Sequence, residues 1–345
     1  MTVIKKASPV AVSYQSLLKG EPIPAEKLNE AFGPDSLGII VVKDLPPHFP
    51  KLRLDTLLQA TYLSKLPKSS LDKLECPEGY YITGWSLGKE KLANDQYDLL
   101  KGSYYINCSF YKDPALEGPD KEECEKFKNY PANTTWNKWP NESESEQLEG
   151  FQKNCKELIK LIIDVSLKIS KNCDRYCVEN LKNYQDEYLK TIVKESTASK
   201  ARLLHYYPKP EEEQDEENQD WCGIHCDHSC LTGLTSALFL KEDGDKVEVL
   251  SSCPDAEAGL YIKNRHGEDV KVDIPVDGLA FQTGASLEQV SNGQFKAVPH
   301  YVKGTNMPLI SRNTLAVFLQ PSLGDKVNDT ETFAEFSDRV LKGNH

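Results

Sequence analysis

The sequence predicts an α+β fold: a double-stranded β-helix (jelly-roll) core with helices packed on one side. Two observations carry that prediction. From residue 196 onward the chain breaks into about eight short β-rich runs divided by turn residues, the rhythm of a double sheet or barrel. Ahead of it, apolar residues recur three and four apart over a long stretch, the period of a helix with one buried face. The expected organisation is a mixed, largely helical region over 1–195, the jelly-roll domain over 196–325, and a tail or helix over 326–345.

In the first region, residues 37–42 form an apolar β-rich run stopped by Pro46 and Pro47, and read as a buried strand. Residues 52–66 read as a helix. The stretch 76–142, rich in Tyr, Asn, Lys and Pro, predicts long loops and short elements. Leu148, Phe151, Cys155, Leu158, Ile159, Ile162, Val165 and Ile169 then mark one face of a long helix, expected to start at Ser143-Glu144-Ser145-Glu146. Core packing accounts for that stripe. A second helix is expected over 178–193. Strands are expected over 201–207, 233–240, 246–250, 259–262, 270–274, 279–282, 295–302 and 314–320. The acidic run over 211–220 interrupts them and reads as a solvated loop at the cavity entrance, where it would disfavour anionic substrates.

Composition narrows the function. A chain of 345 residues with 27% charged and 39% hydrophobic residues is an ordinary globular protein with a sizeable core. A net charge of -12 argues against nucleic-acid and anionic-membrane surfaces. No apolar run is long enough for a bilayer span, and residues 1–11 lack the apolar core of a signal peptide. The ten cysteines therefore read as reduced thiols and the expected compartment is the cytoplasm, where the sequons at Asn107, Asn133, Asn141 and Asn328 carry no meaning.

The chemistry concentrates in His225-Cys226-Asp227, the distal His300, and Arg312-Asn313-Thr314. On a strand, positions two apart share a face, so His225 and Asp227 converge while Cys226 points away. A second strand brings in His300. Two imidazoles and one carboxylate leave open positions on iron(II), which a 2-oxo acid and dioxygen can take. Arg312 offers a fork for a distal carboxylate, and the Thr314 hydroxyl shares its face. A His near an Asp is more often a plain hydrogen-bonded pair, and the ordered set of these three segments is what lifts it above that.

These segments resemble the isopenicillin N synthase-like branch of the Fe(II)/2-oxoglutarate-dependent dioxygenases. The resemblance rests on Arg202-Leu203-Leu204-His205-Tyr206-Tyr207-Pro208, on His225-Cys226-Asp227 with Leu231-Thr232 after it, on 284–293 leading into Val298-Pro299-His300, and on Arg312-Asn313-Thr314 with Phe318-Leu319-Gln320-Pro321. It is specific over about 197–322 and general before that. It implies His225, Asp227 and His300 as iron ligands, Arg312, Thr314 and Tyr207 as contacts to 2-oxoglutarate, and His205 as a possible pocket residue. The implied reaction hydroxylates or desaturates a small molecule with Fe(II), 2-oxoglutarate and O2, releasing succinate and CO2. Thr314 stands where Ser is usual and His205 where Asn is frequent; 241–258 reads as an insertion.

Two other functions use the same residues: an iron oxidase of this fold that does not take 2-oxoglutarate, and a non-catalytic jelly-roll binding protein. Arg312 and Thr314 weigh against the first, and three inward metal ligands left unpaired weigh against the second. Cys222, Cys226 and Cys230 invite a zinc reading, but on a strand they spread too far along the face opposite His225. His228 is expected off the metal face. Tyr206, Trp221 and Phe239 are expected in packing.

Overall fold

The computed structural model describes residues 5–90, 97–182, 184–209, 220–328 and 330–344. The first half supplies strands β1 (Lys5–Ala7), β2 (Val10–Ser13), β3 (Ile39–Lys43), β4 (Gly84–Ser86) and β5 (Lys101–Asn107). The second supplies β6 (Lys200–Tyr206), β7 (Asp220–His225), β8 (Leu231–Thr235), β9 (Leu238–Asp243) and β10 (Lys246–Leu250). After these come β11 (Gly259–Lys263), β12 (Asp269–Val272), β13 (Leu279–Thr283), β14 (His300–Lys303) and β15 (Ile310–Leu319). The helices are α1 (Tyr14–Leu18), α2 (Ala25–Phe32), α3 (Phe49–Ser64), α4 (Lys68–Leu74) and α5 (Lys121–Lys126). Later in the chain lie α6 (Phe151–Asn180), α7 (Tyr188–Glu195), α8 (Ala285–Val290) and α9 (Phe333–Asn344).

Two sheets organise these elements. The larger runs β2-β3-β13-β8-β15-β6-β5-β4, with β9 joined to β15 and β10 to β9; the smaller runs β1-β12-β11-β14-β7. From β6 onward the chain passes repeatedly between sheets: β6 large, β7 small, β8 large, β11 and β12 small, β13 large, β14 small, β15 large. One face of the large sheet packs on the helices in a continuous core with Phe49, Leu57, Phe151, Ile159, Ile162, Phe281 and Val317. Its other face meets the small sheet through Ile39, Val41, Ile262, Val272 and Val298. Strand β3, apolar and buried at four of its five positions, is therefore covered on both sides.

Several boundaries differ from expectation, each for a local reason. The long helix α6 starts at Phe151, after two short 3-10 turns that hold 142–144 and 146–148. The Glu142 carboxylate accepts from the amides of Gly150 and Gln152, so the acidic stretch caps the helix from outside. No helix covers the described residues between α6 and α7. Asp174, buried late in α6, instead accepts from the amides of Leu189 and Lys190 and fixes the start of α7. The single strand expected over 233–240 is two, β8 and β9, parted at Ser236-Ala237, whose carbonyls are held by the Arg53 guanidinium. The strand expected from 295 begins only at His300, after Pro299. All ten cysteines are free thiols. No helix among the described residues is long and apolar enough to cross a membrane. The acidic run lies outside the described residues apart from Asp220.

Candidate metal centre and its cavity

Between the sheets lies a cavity of about 790 Å³. His225, Asp227 and His300 stand on its wall, and one ligand atom from each lies within 4.8 Å of the others. Pairing puts the two histidines together: β14 runs antiparallel to β7 with His300 opposite His225, ring centroids 4.3 Å apart. Asp227 arrives differently from expectation. Strand β7 ends at His225, and Asp227 lies just beyond, where the Ala285 amide donates to the Asp227 carbonyl. Gly284 permits this approach, since a Cβ there would fall 2.1 Å from the Ser229 carbonyl oxygen.

Each of the three side chains spends one atom on the protein and turns another inward. His225 Nδ1 lies 2.8 Å from the Gly223 carbonyl, and His300 Nδ1 lies 3.2 Å from the Val298 carbonyl and 2.8 Å from Gln282 Nε2, which donates to it. A proton on His225 Nδ1, donated to the Gly223 carbonyl, leaves its Nε2 free as a donor to a metal, and His300 Nε2 faces the same cluster. Asp227 Oδ2 accepts from the Thr232 hydroxyl at 2.6 Å, while Oδ1 lies 3.6 Å and 3.8 Å from Nε2 of His225 and His300. Burial works to raise the Asp227 carboxyl, but His300, His225 and Thr232 outweigh it and hold it well below the usual carboxylate range. His300 is pulled below the usual histidine value by burial. His225 moves the other way: burial lowers it, and Cys222 and Asp227 raise it by more. The centre thus gathers one carboxylate and shared protons, and a divalent cation binds in competition with those protons.

Cys222 is the first correction. It lines the cavity with Sγ 3.8 Å from His225 Nδ1, not on the opposite face. The β14–β7 register slips between His300 and Val302, which faces Cys222, so an extra residue in β7 resets the alternation. Cys226 is not on the cavity wall, and His228 packs edge-on against Phe336, 5.5 Å away, outside the metal cluster.

Arg312 and Thr314 alternate inward from β15 and line the same cavity. The Arg312 guanidinium is buried over the Tyr206 ring, 5.3 Å from its centroid, and its Nε and Nη1 have no hydrogen-bond partner. No carboxylate among the described residues pairs with it. Burial consequently lowers its pKa. A buried cation with two bare N–H groups fits an incoming carboxylate, as the open side of the histidine and aspartate cluster fits iron(II).

Tyr207 and His205 are the second correction. Arg202, Leu204 and Tyr206 form the inward face of β6, and Tyr206 sits directly opposite Arg312. His205 therefore points to the helix side, with Nδ1 2.8 Å from Asn313 Oδ1 and 3.4 Å from the Thr61 hydroxyl of α3. Tyr207 turns with it and meets the His205 ring edge-on at 4.4 Å. Neither lines the cavity; Tyr206 and Phe239, expected in packing, do. Thr232 and Gln282 were not legible either, since only the folded register brings them to Asp227 and His300.

No family model matches the chain. It is 27% identical over 211 residues to scopoletin 8-hydroxylase of Arabidopsis thaliana, a match that covers 61% of this chain. The chain spans about half the length of that curated relative, 50% by the match. Among solved structures it resembles a full-length Neurospora crassa protein in complex with alpha-KG and thymine at a TM-score of 0.68 and 18% identity, covering 98% of this chain and 97% of that one. It also resembles a protein from Caulobacter crescentus described as of the 2OG-Fe(II) oxygenase family, at 0.67 and 19%, covering 97% and 98%. In fold, the chain resembles these solved structures over nearly its whole length.

Proposed function

We propose that this chain is an Fe(II)- and 2-oxoglutarate-dependent dioxygenase that hydroxylates or desaturates a small molecule. One observation carries the reading: the convergent donors of His225, Asp227 and His300 share a cavity with the buried guanidinium of Arg312, whose Nε and Nη1 have no partner. Scopoletin 8-hydroxylase in sequence, and a fold neighbour solved with alpha-KG and thymine, support it. The passage of the chain between two sheets from β6 to β15 supports a double-stranded β-helix over 196–325, flanked by 1–195 and by α9 in 326–345.

In this reading His225, Asp227 and His300 hold the iron, and Arg312, Thr314 and Tyr206 receive the distal carboxylate of 2-oxoglutarate. Bound iron(II) with 2-oxoglutarate and O2 supplies the oxidising power, and succinate and CO2 leave. The chain's own residues set the geometry. Thr232 keeps Asp227 Oδ1 aimed inward, and the carbonyls of Gly223 and Val298 fix the two imidazoles. Arg312 orients the co-substrate through a charge-assisted pair in a dry site. Leu234, Ala316 and Phe318 present apolar wall beside it and exclude water.

The test is anaerobic addition of Fe(II) and 2-oxoglutarate. A weak visible charge-transfer band is expected in the wild type and absent in His225→Ala and Asp227→Ala. If the wild type shows neither that band nor succinate formed from 2-oxoglutarate in air, the reading is wrong.

A further inference from the structure

Arg312 is not the one unanswered cation in the cavity. Arg53, from α3, also lines it and is 3% exposed. Its Nε and Nη2 donate to the carbonyls of Ser236 and Ala237 at 2.7–3.1 Å. Carbonyls satisfy N–H groups but bring no net negative charge, and no acid among the described residues pairs with Arg53. Burial alone acts on it, pulling it down to about 10. A guanidinium kept out of water without a counter-charge is costly, and a cavity beside it offers a place for one.

The wider charge pattern agrees. Lys51 and Arg202 on the wall have their own acids, Asp55 and Glu90. The remaining cations, Lys6, Arg53, Lys271 and Arg312, face only Asp255 and Asp273 once the metal cluster is set aside. The cavity is thus cationic in a chain of net charge -12. Iron(II) with Asp227 and the chelating carboxylate of 2-oxoglutarate is neutral, and Arg312 answers the distal carboxylate. One positive charge is left over. The cavity also carries apolar side chains that stay open to solvent: Leu54, Val249 and Val276 line it and are 36%, 44% and 56% exposed.

We propose that the prime substrate is an amphipathic organic acid, an apolar body bearing one carboxylate, and that Arg53 receives that carboxylate. The proposal rests on the dioxygenase reading above. It runs against the expectation drawn from the acidic run over 211–220, which predicts that anions are disfavoured.

The probes are ω-phenylalkanoates from 3-phenylpropanoate to 6-phenylhexanoate and their primary amides. Binding is read from the shift of the visible band with Fe(II) and saturating 2-oxoglutarate under nitrogen, and turnover from added succinate in air. The wild type is expected to bind the best acid about tenfold or more above its amide, the size of one charge-assisted hydrogen bond. Arg53→Gln is expected to lose about that factor for the acid and under about twofold for the amide, and Arg53→Lys to keep the preference. Equal binding of acid and amide by the wild type overturns the proposal. So does an equal loss for both in Arg53→Gln, which makes Arg53 a tie for the 236–237 turn only. Should Arg53→Gln not fold, the wild-type ratio and Arg53→Lys decide. Failure of the dioxygenase reading looks different: no probe-independent succinate from any variant.

Discussion

Asp227 treats its two carboxylate oxygens differently, and that difference decides what the site can hold. Oδ2 is tied to the Thr232 hydroxyl, so Oδ1 is presented to the imidazoles. Thr232→Val keeps the shape and removes the tie; iron affinity should fall about 10- to 100-fold, the usual effect of losing such a supporting contact. An anaerobic Fe(II) titration reads it, and unchanged affinity means Thr232 only packs. Arg312→Gln should raise the 2-oxoglutarate requirement about 10- to 100-fold through the lost charged pair, with iron binding intact. Succinate formation against 2-oxoglutarate concentration checks this, and loss of iron instead would show that Arg312 supports the metal. The convergence of His225, Asp227, His300 and Arg312 on one cavity was legible because residue type and order suffice there: few patterns put two histidines, an aspartate and an arginine on successive β-rich runs. That Tyr206 and not Tyr207 lines the cavity was not legible, because inward direction on β6 depends on its pairing with β15, where Tyr206 faces Arg312. Residue type cannot tell two adjacent tyrosines apart.

Between elements, a close approach constrains the chain where α6 crosses the large sheet. A Cβ on Gly233 of β8 would lie 2.3 Å from Ile162 Cγ2 and 3.2 Å from Phe281 Cε1. Gly233→Ala should cost about 1–3 kcal/mol in urea unfolding, as overpacking does in a close-packed core. A double-mutant cycle with Ile162→Ala should show coupling of about 1 kcal/mol, since removing the branch makes room. Strict additivity would mean that the sheet shifts instead. The helix and its buried face were readable from the three-and-four spacing, which is a property of α6 itself. Its first residue was not, because Glu142 reaches across to the amides of Gly150 and Gln152 from outside the helix. The break between β8 and β9 was hidden for the same reason: Arg53, far away in sequence, holds the turn.

At the scale of the whole molecule, the two halves share their sheets. β3 pairs with β13, and β5 with β6, while α6 covers β8 and β15 from the first half. A fragment over 196–345 lacks that cover and should stay unfolded or associate, whereas the full chain should unfold in one transition by circular dichroism and fluorescence. A monomeric fragment with native circular dichroism would contradict this. Lys200 sits at that junction, 4% exposed, with Nζ donating to Asn107 Oδ1 at 2.5 Å and to Thr83 at 3.4 Å. Burial pulls its pKa down to about 8, against about 10.4 for a lysine in an unfolded chain. Between those values the unfolded chain holds the proton that the folded one has released, so stability rises with pH. The contribution is complete above about 10.4 and is lost as pH falls through about 8. At 1.36 kcal/mol per pH unit the change comes to about 3 kcal/mol. Lys200→Met removes that slope, while the donor it takes from Asn107 shifts stability equally at every pH. Urea unfolding of both proteins from pH 7 to 10 should therefore show the wild type gaining on the variant by about 2.5 kcal/mol, mostly above pH 8. Parallel curves would mean that Lys200 stays charged in the core and that water, not shown by its two contacts, reaches the junction between the halves.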